Sequence, residues 1–69
     1  MIVIDRQNDK EYLADIYHVY YDPPEVGYNG FMEVEFLVYD NQKDVTHEFN
    51  QDTLNDMEQQ IIHDILFED

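Results

Sequence analysis

Hydrophobic and polar positions alternate along this chain in short blocks, and most blocks predict one element each. Ile2-Val3-Ile4 is a brief apolar run, suited to a strand and too short for a helix. Arg6 to Lys10 (RQNDK) is polar and turn-forming. Glu11 to Tyr21 reads two ways. Leu13, Ile16, Tyr17, Tyr20 and Tyr21 recur at helical spacing, and Asn8 with Glu11 resembles a capping pair. Yet Ile16-Tyr17-His18-Val19-Tyr20-Tyr21 is almost wholly strand-favouring. That run tips the segment toward a strand, with a helix as the alternative.

Asp22 to Gly30 (DPPEVGYNG) holds two prolines and two glycines and predicts a loop. Phe31 to Asp40 (FMEVEFLVYD) is the clearest strand. Met32, Val34, Phe36 and Val38 fall on one face; Phe31, Glu33, Glu35, Leu37 and Tyr39 fall on the other. Asn41-Gln42-Lys43 is a tight connection, after which Val45, His47 and Phe49 alternate as a second hairpin arm. The last segment has helical periodicity: Leu54, Met57, Ile61, Ile65 and the neighbouring Ile62 and Leu66 form one apolar face. Asn50 or Thr53 can cap its start. The fold class is therefore α+β, a small antiparallel sheet of three or four strands with a C-terminal α-helix packed on one face. One compact acidic domain spans residues 1–69.

Composition changes the picture more than any motif does. Seventeen Asp and Glu stand against three Lys and Arg, a formal net charge of −14. A small domain needs only about 2–8 net charges to stay soluble, and self-repulsion works against a compact state. Acidic chains are often disordered, but six Tyr, four Phe and many Ile and Val supply a core here. A saline environment also selects acidic, lysine-poor surfaces and is a second origin for the charge. With no cysteine there is neither a disulfide framework nor a thiolate metal site. No signal peptide or membrane span is recognisable, so the expected location is the cytoplasm, that of a host cell if the chain is phage-encoded.

The charges form rows. Asp52, Asp56, Gln60, Asp64 and Glu68 follow one another at four-residue steps along the predicted helix. Like charges at that spacing cost about 0.2–0.5 kcal/mol per pair. Asp64 and Glu68 also fall at the negative end of the helix dipole, and no lysine or arginine follows position 43. Selection for folding alone does not produce this pattern. Glu33 and Glu35 make a second row, about 6.5–7 Å apart on one strand face, which approaches the spacing of nucleic-acid phosphates. Tyr17, Tyr20, Tyr21, Tyr28 and Tyr39 exceed what so small a core can bury, and amphipathic tyrosines beside carboxylates suit a protein interface.

Reactive chemistry is sparse. There is no serine, and Gly27 and Gly30 make no phosphate-binding loop. His18, His47 and His63 fall in three different predicted elements without metal-ligand spacing. Asp40 to Asp44 resembles the first half of a calcium loop but lacks its glycine and its downstream glutamate. No cofactor, metal or catalytic residue is expected.

Two functions remain. In size and charge, though in no motif, the chain resembles the small phage and mobile-element inhibitors that mimic nucleic acid. Such an inhibitor would block the basic groove of a DNA- or RNA-binding protein such as a restriction, CRISPR or repair enzyme, and would not itself bind nucleic acid. The alternative is an acidic interaction module, an antitoxin or regulatory subunit, that holds a basic partner through its tyrosines. Candidate partner-binding residues are Asp52, Asp56, Asp64, Glu68, Glu33 and Glu35, with Tyr20, Tyr21 and Tyr39.

Overall fold

The computed structural model describes residues 1–27 and 30–67. Four antiparallel strands run in sequence order, β1 (Ile2–Asp5), β2 (Lys10–Asp22), β3 (Phe31–Asp40) and β4 (Lys43–Asp44), followed by a helix, α1 (Gln51–Phe67). The segment from Glu11 to Tyr21 is a strand, so its β-branched and aromatic run overrides its helical spacing. Among the described residues no helix is long and apolar enough to cross a membrane.

Each connection follows from local chemistry. Asp5 is 4% exposed, yet its carboxylate accepts from the Gln7 N–H at 3.1 Å and the Asn8 side-chain amide at 2.9 Å, which closes the turn into β2. Asn41 and Gln42 both have positive φ, the two-residue hairpin loop that matches strand twist. Gly30 has φ +74, and a Cβ there would lie 2.6 Å from the Asp22 carbonyl oxygen. Only glycine fits that position, where the chain re-enters β3.

The expected second hairpin arm at Val45, His47 and Phe49 is corrected. Strand β4 has two residues, and Thr46–Glu48 form a single 3₁₀ turn. The cause lies in Asp44 and Thr46. The Asp44 carboxylate accepts from the Thr46 N–H at 3.0 Å and from its hydroxyl at 2.8 Å. The Thr46 hydroxyl oxygen in turn accepts from the Val38 N–H at 2.8 Å, so a side chain takes the place of a strand neighbour.

Helix α1 begins where Asn50 accepts from the Thr53 N–H at 2.8 Å, so Asn50 is the cap. Met57 and Ile61 are fully buried against Val3, Ala14, Val34, Val38 and Val45. Leu54, Ile62, Ile16, Phe36 and Met32 close around this core. Ile65 and Leu66, expected on the apolar face, are exposed along with Phe67, because the last helical turn runs beyond the core. The helix packs on β1 and β3 and covers one face of the sheet. The other face, carrying Ile2, Ile4, Leu13, Glu33, Glu35, Leu37 and Tyr39, has no layer over it among the described residues.

Candidate acidic interface

Strand register decides which candidates meet. Antiparallel partners lie on the same face, so Glu33 stands beside Tyr20, and Glu35 beside His18. The His18 and Tyr20 rings are in contact at 4.1 Å between centroids, tilted 60° from one another. Tyr39 shares this open face further along, opposite Leu13. Tyr21 does not share it: it pairs with Met32, whose side chain packs toward the helix-covered core. Both Tyr20 and Tyr21 are about half exposed.

The helical candidates part company. Four-residue steps drift by about 40° around a helix axis, so Asp52 and Asp64 are turned about 120° from one another. Asp52 is exposed beside Asp5, Arg6 and Thr53. Asp56 is already occupied, with Arg6 Nε at 3.4 Å and an accepted hydrogen bond from the Gln60 amide at 3.1 Å. Asp64 is half-buried. Glu68 and Tyr28 lie outside the described residues. The helix therefore offers separate carboxylates and no straight acidic stripe.

The cations are unevenly placed. Arg6 and Lys10 belong to the β1–β2 turn and Lys43 pairs with Asp40 across β3 and β4, so all three sit at one end of the sheet. Lys10 Nζ is 2.9 Å from Asp40 and 5.1 Å from the Tyr12 ring centroid. The hydrogen bond to Asp40, and then its charge, raise the Lys10 pKa above the ordinary lysine value. From Glu11 to Gln42 the sequence contains no lysine or arginine. The β2–β3 arm beyond Asp15 and Leu37 therefore carries Asp22, Glu25, Glu33 and Glu35 with no basic side chain but His18.

Backbone at the sheet edges is satisfied by side chains in three places. Gln60 accepts from the Ile4 N–H at 2.9 Å and donates to the Ile4 carbonyl at 2.8 Å, as a neighbouring strand would. Glu58 accepts from the Val34 N–H at 2.9 Å, and Thr46 from that of Val38. The sequence reading gave none of the three this role, because their partners lie 8 to 56 residues away and no local signal marks the contact.

Among the described residues no cluster of His, Asp or Glu could hold a metal ion. No family model matches the chain, and no curated protein or solved structure is significantly similar to it.

Proposed function

We propose that this chain is a non-catalytic acidic inhibitor that occupies the basic groove of a nucleic-acid-binding protein, a restriction, CRISPR or repair enzyme being the type of target. The observation that supports this most is the confinement of every lysine and arginine to one end of the sheet. It leaves Glu33 and Glu35 in a row on a face with no layer over it among the described residues, beside exposed aromatic rings. A lysine-lined groove would meet carboxylates there in place of phosphates. Association would be steered by charge and would release counterions, as binding of nucleic acid does.

The test is recovery of partners from bacterial lysate on the tagged chain at about 50 and 500 mM salt, with duplex DNA as competitor. A nucleic-acid-binding protein displaced by both salt and DNA is the expected result. Glu33→Gln with Glu35→Gln should abolish its recovery while leaving thermal stability unchanged or slightly higher, since two like charges are removed. Partners that survive both challenges, and are held equally by the double variant, would replace this reading with the second one. In that case the exposed Tyr17, Tyr20 and Tyr21 would carry an ordinary interaction module.

A further inference from the structure

Strand β2 is longer than anything that pairs with it on its outer side. β1 covers Lys10 to Leu13, and Met1 extends the ladder one step, its carbonyl accepting from the Ala14 N–H at 2.7 Å. From Asp15 to Asp22 the strand has β3 as its sole strand neighbour among the described residues. A bulge between Ile16 and His18 then resets the register.

Beyond the bulge the direction of each backbone group follows from its partner. Val34 turns its N–H outward to Glu58, so the Val34–Val19 pair is one whose backbone groups face away from each other. Val19 therefore presents its N–H and C=O to the free side, and Tyr21, two residues on, does the same. Gln60 takes both outward backbone groups of Ile4, and Glu58 and Thr46 take the outward N–H groups of Val34 and Val38. Among the described residues, no side chain is seen to cover the outer edge at Val19 and Tyr21 in this way.

We propose that this edge is a strand-addition site, and that its occupant is an extended segment of a partner protein with basic and apolar residues in alternation. The two faces dictate that chemistry. On one face an added strand would lie beside His18 and Tyr20, with Glu33 and Glu35 one strand further in. Strands are about 4.8 Å apart, so lysine or arginine stems can cross the two rings and bring their charges to those carboxylates. On the other face it would lie beside the exposed Val19 and Tyr21, which suit apolar side chains. Main-chain hydrogen bonds would supply affinity and the alternation would supply specificity.

A second copy of this chain fits poorly, because it would set like charges against one another across the join. The bulge also works against flat pairing of two such edges. The proposal rests on the acidic-inhibitor reading only for the sign of the partner's charge; the open edge stands without it.

The probe is a synthetic peptide of about seven alternating lysine and valine residues, compared with one of equal charge whose central valine is proline. Binding is followed at about 0.15 M salt, where exposed charges are partly screened, together with amide hydrogen exchange of the whole chain. The expected result is that the first peptide binds and protects the Val19 and Tyr21 amides. The proline peptide should bind about tenfold more weakly or worse. Val19→Pro should weaken the first peptide by a similar factor, since proline is tolerated where the N–H faces outward on an edge. A chain synthesised with an N-methyl group on Val19 tests the same donor if the proline variant does not fold.

Equal binding of the two peptides, with both amides exchanging freely, would overturn the edge and leave the acidic reading intact. Binding by neither peptide would overturn it as well. Concentration-dependent protection of the same amides in a dimer without peptide would assign the edge to a second copy instead. Strand-dependent peptide binding, alongside lysate partners that DNA does not displace, would keep the edge and remove the nucleic-acid target.

Discussion

The Thr46 hydroxyl accepts from the Val38 N–H and donates to Asp44, both at 2.8 Å, and Val38 is fully buried. Removing the hydroxyl in Thr46→Val strands a buried donor, at a cost of about 1–3 kcal/mol. Thr46→Ser should restore most of it, read by urea denaturation. Asp44 itself titrates below the ordinary aspartate range, first because of the Thr46 N–H and then its hydroxyl. A carboxylate with a lowered folded pKa contributes stability above its unfolded pKa, about 4, and that contribution is lost as pH falls through the folded value. Asp44→Asn keeps an oxygen acceptor but removes the titration. Its stability should therefore fall less steeply than that of the parent between neutral pH and acid, in unfolding curves measured across that range.

Helices and strands differ in how much of themselves the sequence discloses. Strand β3 was legible from end to end, because apolar residues at Met32, Val34, Phe36 and Val38 alternate with Glu33 and Glu35. The start of α1 was legible to within the choice of Asn50 or Thr53 as cap, and Asn50 is the one that caps. The alternation of Val45, His47 and Phe49 misled, since the Asp44 carboxylate and the Thr46 hydroxyl bond to nearby backbone and close a 3₁₀ turn where the strand would have continued. The bulge at Tyr17 was invisible, because one extra residue changes no composition yet exchanges the faces of Tyr20 and Tyr21, setting Tyr20 beside Glu33 on the open face and Tyr21 beside Met32 on the covered one. At this scale packing fixes the magnitudes. Met57→Ala or Ile61→Ala should cost about 2–5 kcal/mol, enough to unfold much of a domain whose total is about 5 kcal/mol. Ile65→Ala, on the exposed last turn, should cost less than about 0.5 kcal/mol by the same denaturation assay. Asn50→Ala should lie between them, at about 1 kcal/mol.

Over the whole molecule, charge and shape act together. The chain extends 43 Å along its longest axis and about 20 Å across it, with the β2–β3 arm reaching past the helix-covered core. The total charge was plain in the sequence, but its distribution was not, since turns and register bring Arg6, Lys10 and Lys43 from distant positions to one end. Surface ion pairs such as Arg6–Asp56 and Lys10–Asp40 contribute little, because solvent and salt screen them. Neither offsets the repulsion of a net charge of −14. Raising salt from about 0.01 to 0.5 M should therefore increase the melting temperature, because screening removes more repulsion than attraction; a fall would mean that the ion pairs dominate. The same clustering governs how reagents meet the molecule. Trypsin, which cuts after lysine and arginine, finds every one of its sites at the end away from the arm. Complete digestion should release Glu11 to Lys43 as one peptide holding both long strands. Amine-directed cross-linkers have Lys10, Lys43 and the terminal amine beside Ala14 as their handles. A partner gripping the arm would escape all of them, and carbodiimide coupling through Glu33 and Glu35 is the chemistry that would catch it.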